Sequence, residues 1–218
     1  MAKIYELHPQ NPQSRTIEQV VKQLRNGAVM LYPTDTVYAI GCDLNSKSAI
    51  QKVREIKQLS NEKPLTFLCP SLSNIADYAV VHDFAYKAMR RLIPGPYTFI
   101  LPATKLVPKL VMSPKRKTTG IRVPDQAVCQ TLLETLGNPL ISTSANVADE
   151  EDDTEVFLSR YELFDALENQ VDLILDQGED CQARTSTMID MTGSEPLILR
   201  QGLGYEAVAM FELAESID

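Results

Sequence analysis

Apolar residues recur along this chain at two spacings, and each spacing predicts a different kind of element. The spacing of three to four residues predicts helices at 16–26, after Asn45-Ser46, at 82–93, after Pro124-Asp125 and at about 155–169. Short compact apolar runs predict strands at 28–31, 64–69, 97–101, 119–123, 139–141, 171–175, 187–191 and 197–199. The inward sides of the helices are expected at positions such as Val53 on the second helix and Phe84, Ala88 and Leu92 on the third.

The order of these elements predicts one α/β domain over residues 1–218. Strands and helices alternate, but several connections are too short for the crossover that joins parallel strands, so a mixed sheet is expected. The basic, proline-containing segment 105–117 is expected to form a short helix and an exposed loop. Residues 149–153 are expected to form a solvated acidic loop, and residues 205–218 a loosely held tail.

Two runs of hydroxyl-bearing residues follow predicted strands. The first spans residues 32–41 and the second residues 142–146. Ligands of open α/β sheets bind at the carboxyl ends of strands. Hydroxyl and amide groups can bind phosphate, ribose or an amino acid without burying an unpaired charge. Each run alone is better explained by an ordinary turn, but together the two runs favour a polar ligand site.

Charge is distributed unevenly along the chain. The 218 residues carry a formal net charge of −8, but residues 1–125 hold 18 Lys and Arg against 9 Asp and Glu. The basic half suits the phosphates of a nucleotide or of RNA. The alternative is that these side chains only solvate helix faces.

Cysteine and histidine usage restricts the chemistry that the chain can perform. Four cysteines are scattered without a CxxC pair, which is typical of reduced thiols in a cytoplasmic protein. His8 and His82 lack metal-ligand spacing, so no structural metal is expected. We expect neither a signal peptide nor a membrane span, because no apolar stretch is long enough.

Short motifs in a fixed order give the chain a resemblance to a known family. They are the run 32–38, Lys57, Lys63-Pro64-Leu65, Pro94-Gly95-Pro96-Tyr97-Thr98, Gly120-Ile121-Arg122-Val123-Pro124, the run 142–146, Ser186-Thr187 and Arg200-Gln201-Gly202. With this set the chain resembles the YrdC/YciO-like family, which includes the threonylcarbamoyl-adenylate synthases of tRNA modification, and is most similar to its YciO branch. The motifs extend over about residues 16–204.

The resemblance implies both a fold and a reaction. The implied fold is a twisted, open, mixed parallel and antiparallel sheet with helices mainly on one side and a concave basic face. The implied reaction joins L-threonine, bicarbonate and ATP into threonylcarbamoyl-adenylate and releases pyrophosphate. Mg²⁺ would arrive with the ATP phosphates rather than in a protein cage. A monomer or weak dimer is expected.

The resemblance also assigns roles to individual residues. The residues implied to hold the threonine moiety are Thr36, Arg122 and Ser186. The residues implied to face the nucleotide are Lys57, Lys63, Thr118, Ser144, Asn146 and Arg200. A surface ion pair explains Arg200 equally well, and Lys57 alone is more easily explained as a solvated helix end. No residue is assigned as certainly catalytic.

Departures from the family pattern fall around the expected phosphate and threonine positions. The Lys-x-Arg signature appears as Lys57-Gln58-Leu59, so a leucine replaces the arginine. Lys63 replaces an asparagine and Leu68 a histidine. A charged hydrogen bond contributes about 1.5–3 kcal/mol, so loss of the arginine predicts weak turnover of ATP.

Two alternatives therefore stand beside the enzyme. The first is a protein that binds double-stranded RNA or tRNA on a basic concave face without catalysis, because such RNA is recognised by shape and backbone. Its candidate contacts are Arg90, Arg91, Lys105, Lys109, Lys115, Arg116 and Lys117. The second is a sensor that binds a nucleotide or adenylate without turnover.

Overall fold

The computed structural model describes residues 1–60, 63–148 and 155–209. The helices are α1 (Ser14–Arg25), α2 (Lys47–Ile56), α3 (Leu72–Tyr78), α4 (Asp83–Leu92), α5 (Ala127–Leu136) and α6 (Arg160–Leu167). The strands are β1 (Lys3–Glu6), β2 (Val29–Tyr32), β3 (Ala39–Asp43), β4 (Thr66–Leu68), β5 (Tyr97–Pro102), β6 (Thr118–Arg122), β7 (Leu140–Ser144), β8 (Val147–Ala148), β9 (Glu155–Val156), β10 (Leu173–Asp176), β11 (Thr187–Asp190) and β12 (Leu197–Arg200). Residues 205–209 are also helical.

Within the described residues, ten strands form one mixed sheet. Their order is β1-β10-β2-β3-β7-β4-β6-β5-β11-β12, and β8 pairs separately with β9. The pairs β1·β10, β10·β2, β4·β6 and β11·β5 are parallel, while the others are antiparallel. The expected mixture of parallel and antiparallel strands is therefore confirmed.

The helices cover the two faces of the sheet unequally. Apolar side chains of α2, α3, α4 and α6 share one core cluster with Ile40, Phe67 and Ile121. Those of α1 and α5 share a second cluster with Met30 and Leu173 on the other face. Four of the six helices named above thus cover one face, which agrees with the expectation that helices lie mainly on one side.

Most predicted elements are present, with ends shifted by one to three residues. The segment 105–117 contains turns but no helix, because its prolines and Lys117, at φ +52°, interrupt regular structure. The helix expected at about 155–169 begins only at Arg160, after β9. Of the residues predicted to face inward on α4, Leu92 is buried, whereas Phe84 and Ala88 are only partly buried and pack against the core cluster. The fully buried positions Ala85 and Met89 were not predicted.

Other differences concern elements without a periodic signal. The strand β3 was not expected, because all five of its residues are buried and give no alternation of apolar and polar positions. The short helix α3 was not expected either. The acidic loop 149–153 lies outside the described residues, as do residues 210–218 of the expected tail, although Val208 within that tail is buried.

The cysteines are free thiols, as expected. Cys42, Cys69 and Cys129 are buried, and Cys181 is partly exposed. Burial raises the pKa of Cys69 and of Cys181 to about 12 and raises the pKa of Cys42 and Cys129 as well. Among the described helices, none combines the length and apolar character needed to cross a bilayer.

These thiols predict a loss of stability at alkaline pH. Unfolding returns each thiol to its ordinary pKa of 9.0, so above pH 9 the unfolded chain loses protons that the folded chain retains. The free energy of unfolding should fall from there upward, by about 2 kcal/mol per fully buried thiol near pH 10.5. Thermal unfolding under reducing conditions should show a lower Tm at pH 10.5 than at pH 8. An equal or higher Tm would contradict the assignment.

Candidate functional site

One face of the sheet carries a continuous row of small and polar residues. The row consists of Gly41 on β3, Ser142 on β7, Thr66 on β4 and Gly120 on β6, which are partners in strand register. Register partners point to the same face of a sheet. The row and its neighbours Thr98, Thr118, Arg122, Ser144, Ser186 and Arg200 are called the polar face below.

Glycine is required in this row because neighbouring side chains lie over it. A Cβ atom at Gly120 would lie 2.7 Å from Oγ1 of Thr66, and one at Gly41 would lie 2.8 Å from the ring of Tyr32. The hydroxyl of Tyr32 donates a hydrogen bond to Oγ of Ser142 at 2.7 Å. The strand sequence therefore builds a flat floor of backbone and hydroxyl groups.

The most deeply buried charge on this face belongs to Arg122. Its Nη1 donates to Oγ1 of Thr36 at 2.9 Å, and its Nη2 forms an ion pair with Asp35. Thr36 is in turn held by Thr34, whose hydroxyl lies 3.0 Å away and also donates to the carbonyl of Val37 at 2.7 Å. The first hydroxyl-rich run is thus folded onto the end of β6.

A second polar group lies on the adjacent strands. Thr98 is one residue beyond the register pair Phe99–Ile121, which places it beside Arg122. Its hydroxyl shares a 2.8 Å hydrogen bond with Ser186. Nε of Arg200 donates to the carbonyl of Ser186 at 3.1 Å. The three residues assigned to threonine, Thr36, Arg122 and Ser186, therefore lie in one group.

An irregularity in β12 gives Arg200 its direction. Met188 pairs with Arg200, while the next residue of β11, Ile189, pairs with Ile198. The additional residue in β12 is a β-bulge, which turns the strand locally. Without it, Arg200 would share the core-facing side of Ile198. The bulge is the reason that this arginine reaches Ser186.

The second hydroxyl-rich run lies beside the first. The backbone N–H of Ala145 donates to the carbonyl of Tyr38 at 2.8 Å. Nζ of Lys57 donates to the carbonyl of Asn146. Ser144 and Thr118 are each two residues along their strands from the glycine-containing row, at the end away from Arg122. Of the residues assigned to the nucleotide, Thr118 and Ser144 thus lie along the strands from the group assigned to threonine, at about 7 Å for every two residues. Arg200 instead lies within that group, because it bonds Ser186.

The loop after α2 is held by a buried arginine of that helix. Arg54 is only 6% exposed and donates to the carbonyls of Lys63, Leu110 and Ser60. In this loop Leu59 packs against the core cluster, and the Lys63 side chain is exposed. The substituted leucine therefore faces apolar side chains rather than the polar face.

A second substituted position lies directly beside Arg122. Leu68 pairs with Arg122 in register and is 1% exposed. Its side chain belongs to the apolar cluster under α1 and α5. Where the family pattern has a histidine, this chain thus offers an apolar neighbour that cannot hydrogen-bond a ligand.

The titratable groups near this site restrict its chemistry. Sγ of Cys129 donates to the carbonyl of Pro33 at 3.3 Å, and its raised pKa keeps it a neutral thiol. Within the described ranges, no group of three or more His, Cys, Asp and Glu residues is suited to hold a metal ion. The donors are hydroxyls, guanidinium groups and one ammonium, which suit the binding and orientation of anionic ligands.

The candidate RNA contacts fall into two separate groups. Arg90 and Arg91 lie on the exposed side of α4, which covers the opposite face of the sheet, so they do not line the polar face. Lys105, Lys109, Lys115 and Lys117 are exposed in the segment that leads into β6. Arg116 in the same segment forms a 2.7 Å ion pair with Asp190.

Three contributors were missed by sequence reasoning. Asp35, Thr98 and Arg54 had no assigned role. A signal for Asp35 existed, because a buried arginine requires a carboxylate partner and Asp35 directly precedes the assigned Thr36. Thr98 lay in a recognised motif, but its face could be assigned only from strand register.

Over most of its length the chain is similar to known proteins. The family model Sua5/YciO/YrdC, described as telomere recombination, matches residues 22–202. YciO of Escherichia coli is 42% identical over 94% of this chain and 97% of its own, and its crystal structure matches with a TM-score of 0.86. A putative threonylcarbamoyl-AMP synthase of Methanocaldococcus jannaschii is 31% identical over 92% of both chains. The structure of P. abyssi Sua5 with L-threonine matches at 25% identity and a TM-score of 0.82, over 91% of this chain and 57% of that one.

The close approach of Gly202 to the backbone beside Ser186 can be tested by substitution. A Cβ atom at Gly202 would overlap the backbone of Thr185 and Ser186. Gly202→Ala should therefore lower the free energy of unfolding by about 1–3 kcal/mol, as measured in urea, because neither backbone can move aside easily. The matched control is Gly193→Ala, whose Cβ would meet nothing closer than 3.7 Å. Equal effects of the two substitutions would contradict the proposed close approach.

Proposed function

This chain belongs to the Sua5/YciO/YrdC family, and from that membership we propose that it is a slow threonylcarbamoyl-adenylate synthase of the cytoplasm. The reaction would use L-threonine, bicarbonate and ATP. The observation that carries the proposal is the group in which the guanidinium of Arg122 lies beside Thr36 and, across β5, Ser186. P. abyssi Sua5 has been solved with L-threonine, and we transfer that amino acid to this site.

The proposed chemistry needs positioning more than proton transfer. A carbamate oxygen of N-carboxy-threonine attacks the α-phosphorus of ATP, the bond to the bridging oxygen breaks, and pyrophosphate leaves. Held donors lower the barrier by orienting the reactants and by neutralising charge. Ser144, Thr118 and Asn146 would orient the nucleotide, and Lys57 and Arg200 would neutralise phosphate charge. These residues supply hydrogen bonds and charge of the required sign.

Mg²⁺ would be held mainly by ATP itself. The carboxylate of Asp35 is already bonded to Arg122 and to the N–H of Asp125, and Asp190 is bonded to Arg116. The donor set therefore fits a metal that arrives on the phosphates, which is common for Mg²⁺. When bound, the ion would supply further charge neutralisation at the phosphates.

The low rate follows from two substituted positions. Leu59 cannot donate to a phosphate, and Leu68 cannot hydrogen-bond the amino acid beside Arg122. The exposed Lys63 offers a charge, but not the planar fork of a guanidinium. The threonine end of the site thus retains its charged donor, whereas the phosphate end has lost one.

The enzyme assay tests the proposal directly. Purified protein with ATP, Mg²⁺, L-threonine and bicarbonate should release pyrophosphate and form threonylcarbamoyl-adenylate, identified by mass spectrometry. Omission of threonine should abolish both signals. Tight binding of ATP or AMP by calorimetry without product would favour the sensor instead, and no product with no binding would refute the enzyme.

Restoring the lost charge should raise nucleotide affinity. Leu59→Arg should lower the Kd for ATP about tenfold, since a charged hydrogen bond contributes about 1.5–3 kcal/mol. The Tm should fall slightly, because Leu59 leaves the core cluster. The matched control is Gln58→Arg, which adds the same charge at the exposed neighbour. An equal gain in both variants would show a nonspecific effect of charge.

RNA binding is a second candidate, favoured by one observation. The exposed lysines of segment 105–117 lead directly into Thr118 on the polar face. If double-stranded RNA binds there, Lys105→Glu/Lys109→Glu should weaken binding and flatten its salt dependence. Arg90→Glu/Arg91→Glu, which changes the same charge on the opposite layer, should have no effect. Binding that is insensitive to salt would contradict this candidate.

A further inference from the structure

One of the three guanidinium nitrogens of Arg122 has no hydrogen-bond partner within the described residues. Arg122 is 7% exposed. Thr36 accepts from Nη1, and Asp35 accepts from Nη2. Among the described residues, Nε has no hydrogen-bond partner. A buried donor without an acceptor is costly, so this N–H marks a position where a ligand acceptor would be stabilised.

The position of that donor constrains the ligand. In a guanidinium, Nε–H and Nη2 share one edge, and a carboxylate that binds both would form a fork. Asp35 binds Nη2 through one oxygen and leaves Nε unbound, while its other oxygen accepts from the N–H of Asp125 at 3.1 Å. A ligand oxygen on Nε would therefore stand next to the Asp35 carboxylate.

The charges of Asp35 and Arg122 would discriminate between a simple carboxylate and an amino acid. Asp35 and Arg122 together are neutral, and the neighbouring Leu68 contributes no charge. A simple carboxylate on Nε would be repelled by Asp35, since like charges a few ångströms apart are unfavourable in a partly buried site. A ligand with an ammonium group beside its carboxylate would be attracted to Asp35 at the same time.

We propose that Asp35 is a specificity-determining residue, which makes this site prefer a zwitterionic α-amino acid to the same acid without its amino group. The proposal rests on the function proposed above, because it places the amino acid at Arg122. It adds the residue that recognises the amino group of L-threonine before that group is carboxylated. Thr36 and Arg122 alone would accept either compound.

The test compares two ligands that differ only in the amino group. L-Threonine and (R)-3-hydroxybutanoate have the same hydroxyl and carboxylate. The Kd of each is measured by calorimetry or ligand-observed NMR on the full chain. The wild type should bind L-threonine at least about tenfold more tightly. In Asp35→Asn the ratio of the two Kd values, hydroxy acid over L-threonine, should fall about tenfold, chiefly because the hydroxy acid binds better.

The matched control is Asp43, a buried aspartate that is not part of the polar face. Asp43 accepts from the N–H of Asn45 and from Nδ2 of Asn138, both at 2.8 Å. Asp43→Asn removes an equally buried charge and should leave the ligand ratio unchanged. A merely structural role of Asp35 would change Tm and both Kd values together, without changing their ratio.

The outcomes separate this proposal from the proposed function. If L-threonine binds but the ratio in Asp35→Asn equals that of the wild type, the role of Asp35 is refuted and the proposed function survives. If the wild type binds neither ligand, both are refuted. Should Asp35→Asn fail to fold, the wild-type ratio decides, because a wild type without preference for threonine overturns the proposal.

Discussion

The buried charge of Arg122 is the constraint on which the site depends. A buried arginine must be paired, since removing the partner of a buried ion pair typically costs about 3–5 kcal/mol. Asp35 provides the pairing from 87 residues away, and the same contact folds the first hydroxyl-rich run onto β6. One electrostatic requirement thus positions Thr36, orients the guanidinium and leaves its Nε without a partner among the described residues.

The sheet around this pair is built to let polar groups approach one another. Gly41 and Gly120 leave room for Tyr32 and Thr66, and Gly202 lets the end of the chain lie against Ser186. The bulge in β12 then directs Arg200 to the same place. Backbone features in or next to three strands, β3, β6 and β12, therefore determine which side chains share the polar face, and the chemistry follows from that placement.

Sequence reasoning found what periodic patterns and motifs encode. The inward residue Val53 of α2 and the start of that helix after Asn45-Ser46 were predicted, and Ser46 caps it, because both signals are local. β3 was missed because it is buried on both sides. The burial of Arg54 was missed because its carbonyl partners, Ser60, Lys63 and Leu110, come from loops whose course depends on tertiary structure. Motif residues could be named from the sequence, but their shared face required strand register.

The two leucines have different physical consequences for the proposed reaction. Leu59 packs into the core, so the loop that would hold a phosphate is stabilised by apolar contact and by Arg54 instead of by ligand. Leu68 extends the apolar cluster up to Arg122, which lowers the local polarity and strengthens the Arg122–Asp35 interaction. Leu68 in place of the family's histidine would therefore remove a hydrogen bond to the proposed ligand and strengthen the ion pair between Arg122 and Asp35. Under the proposed function, a site altered in this way would retain discrimination at its amino-acid end and lose affinity at its phosphate end.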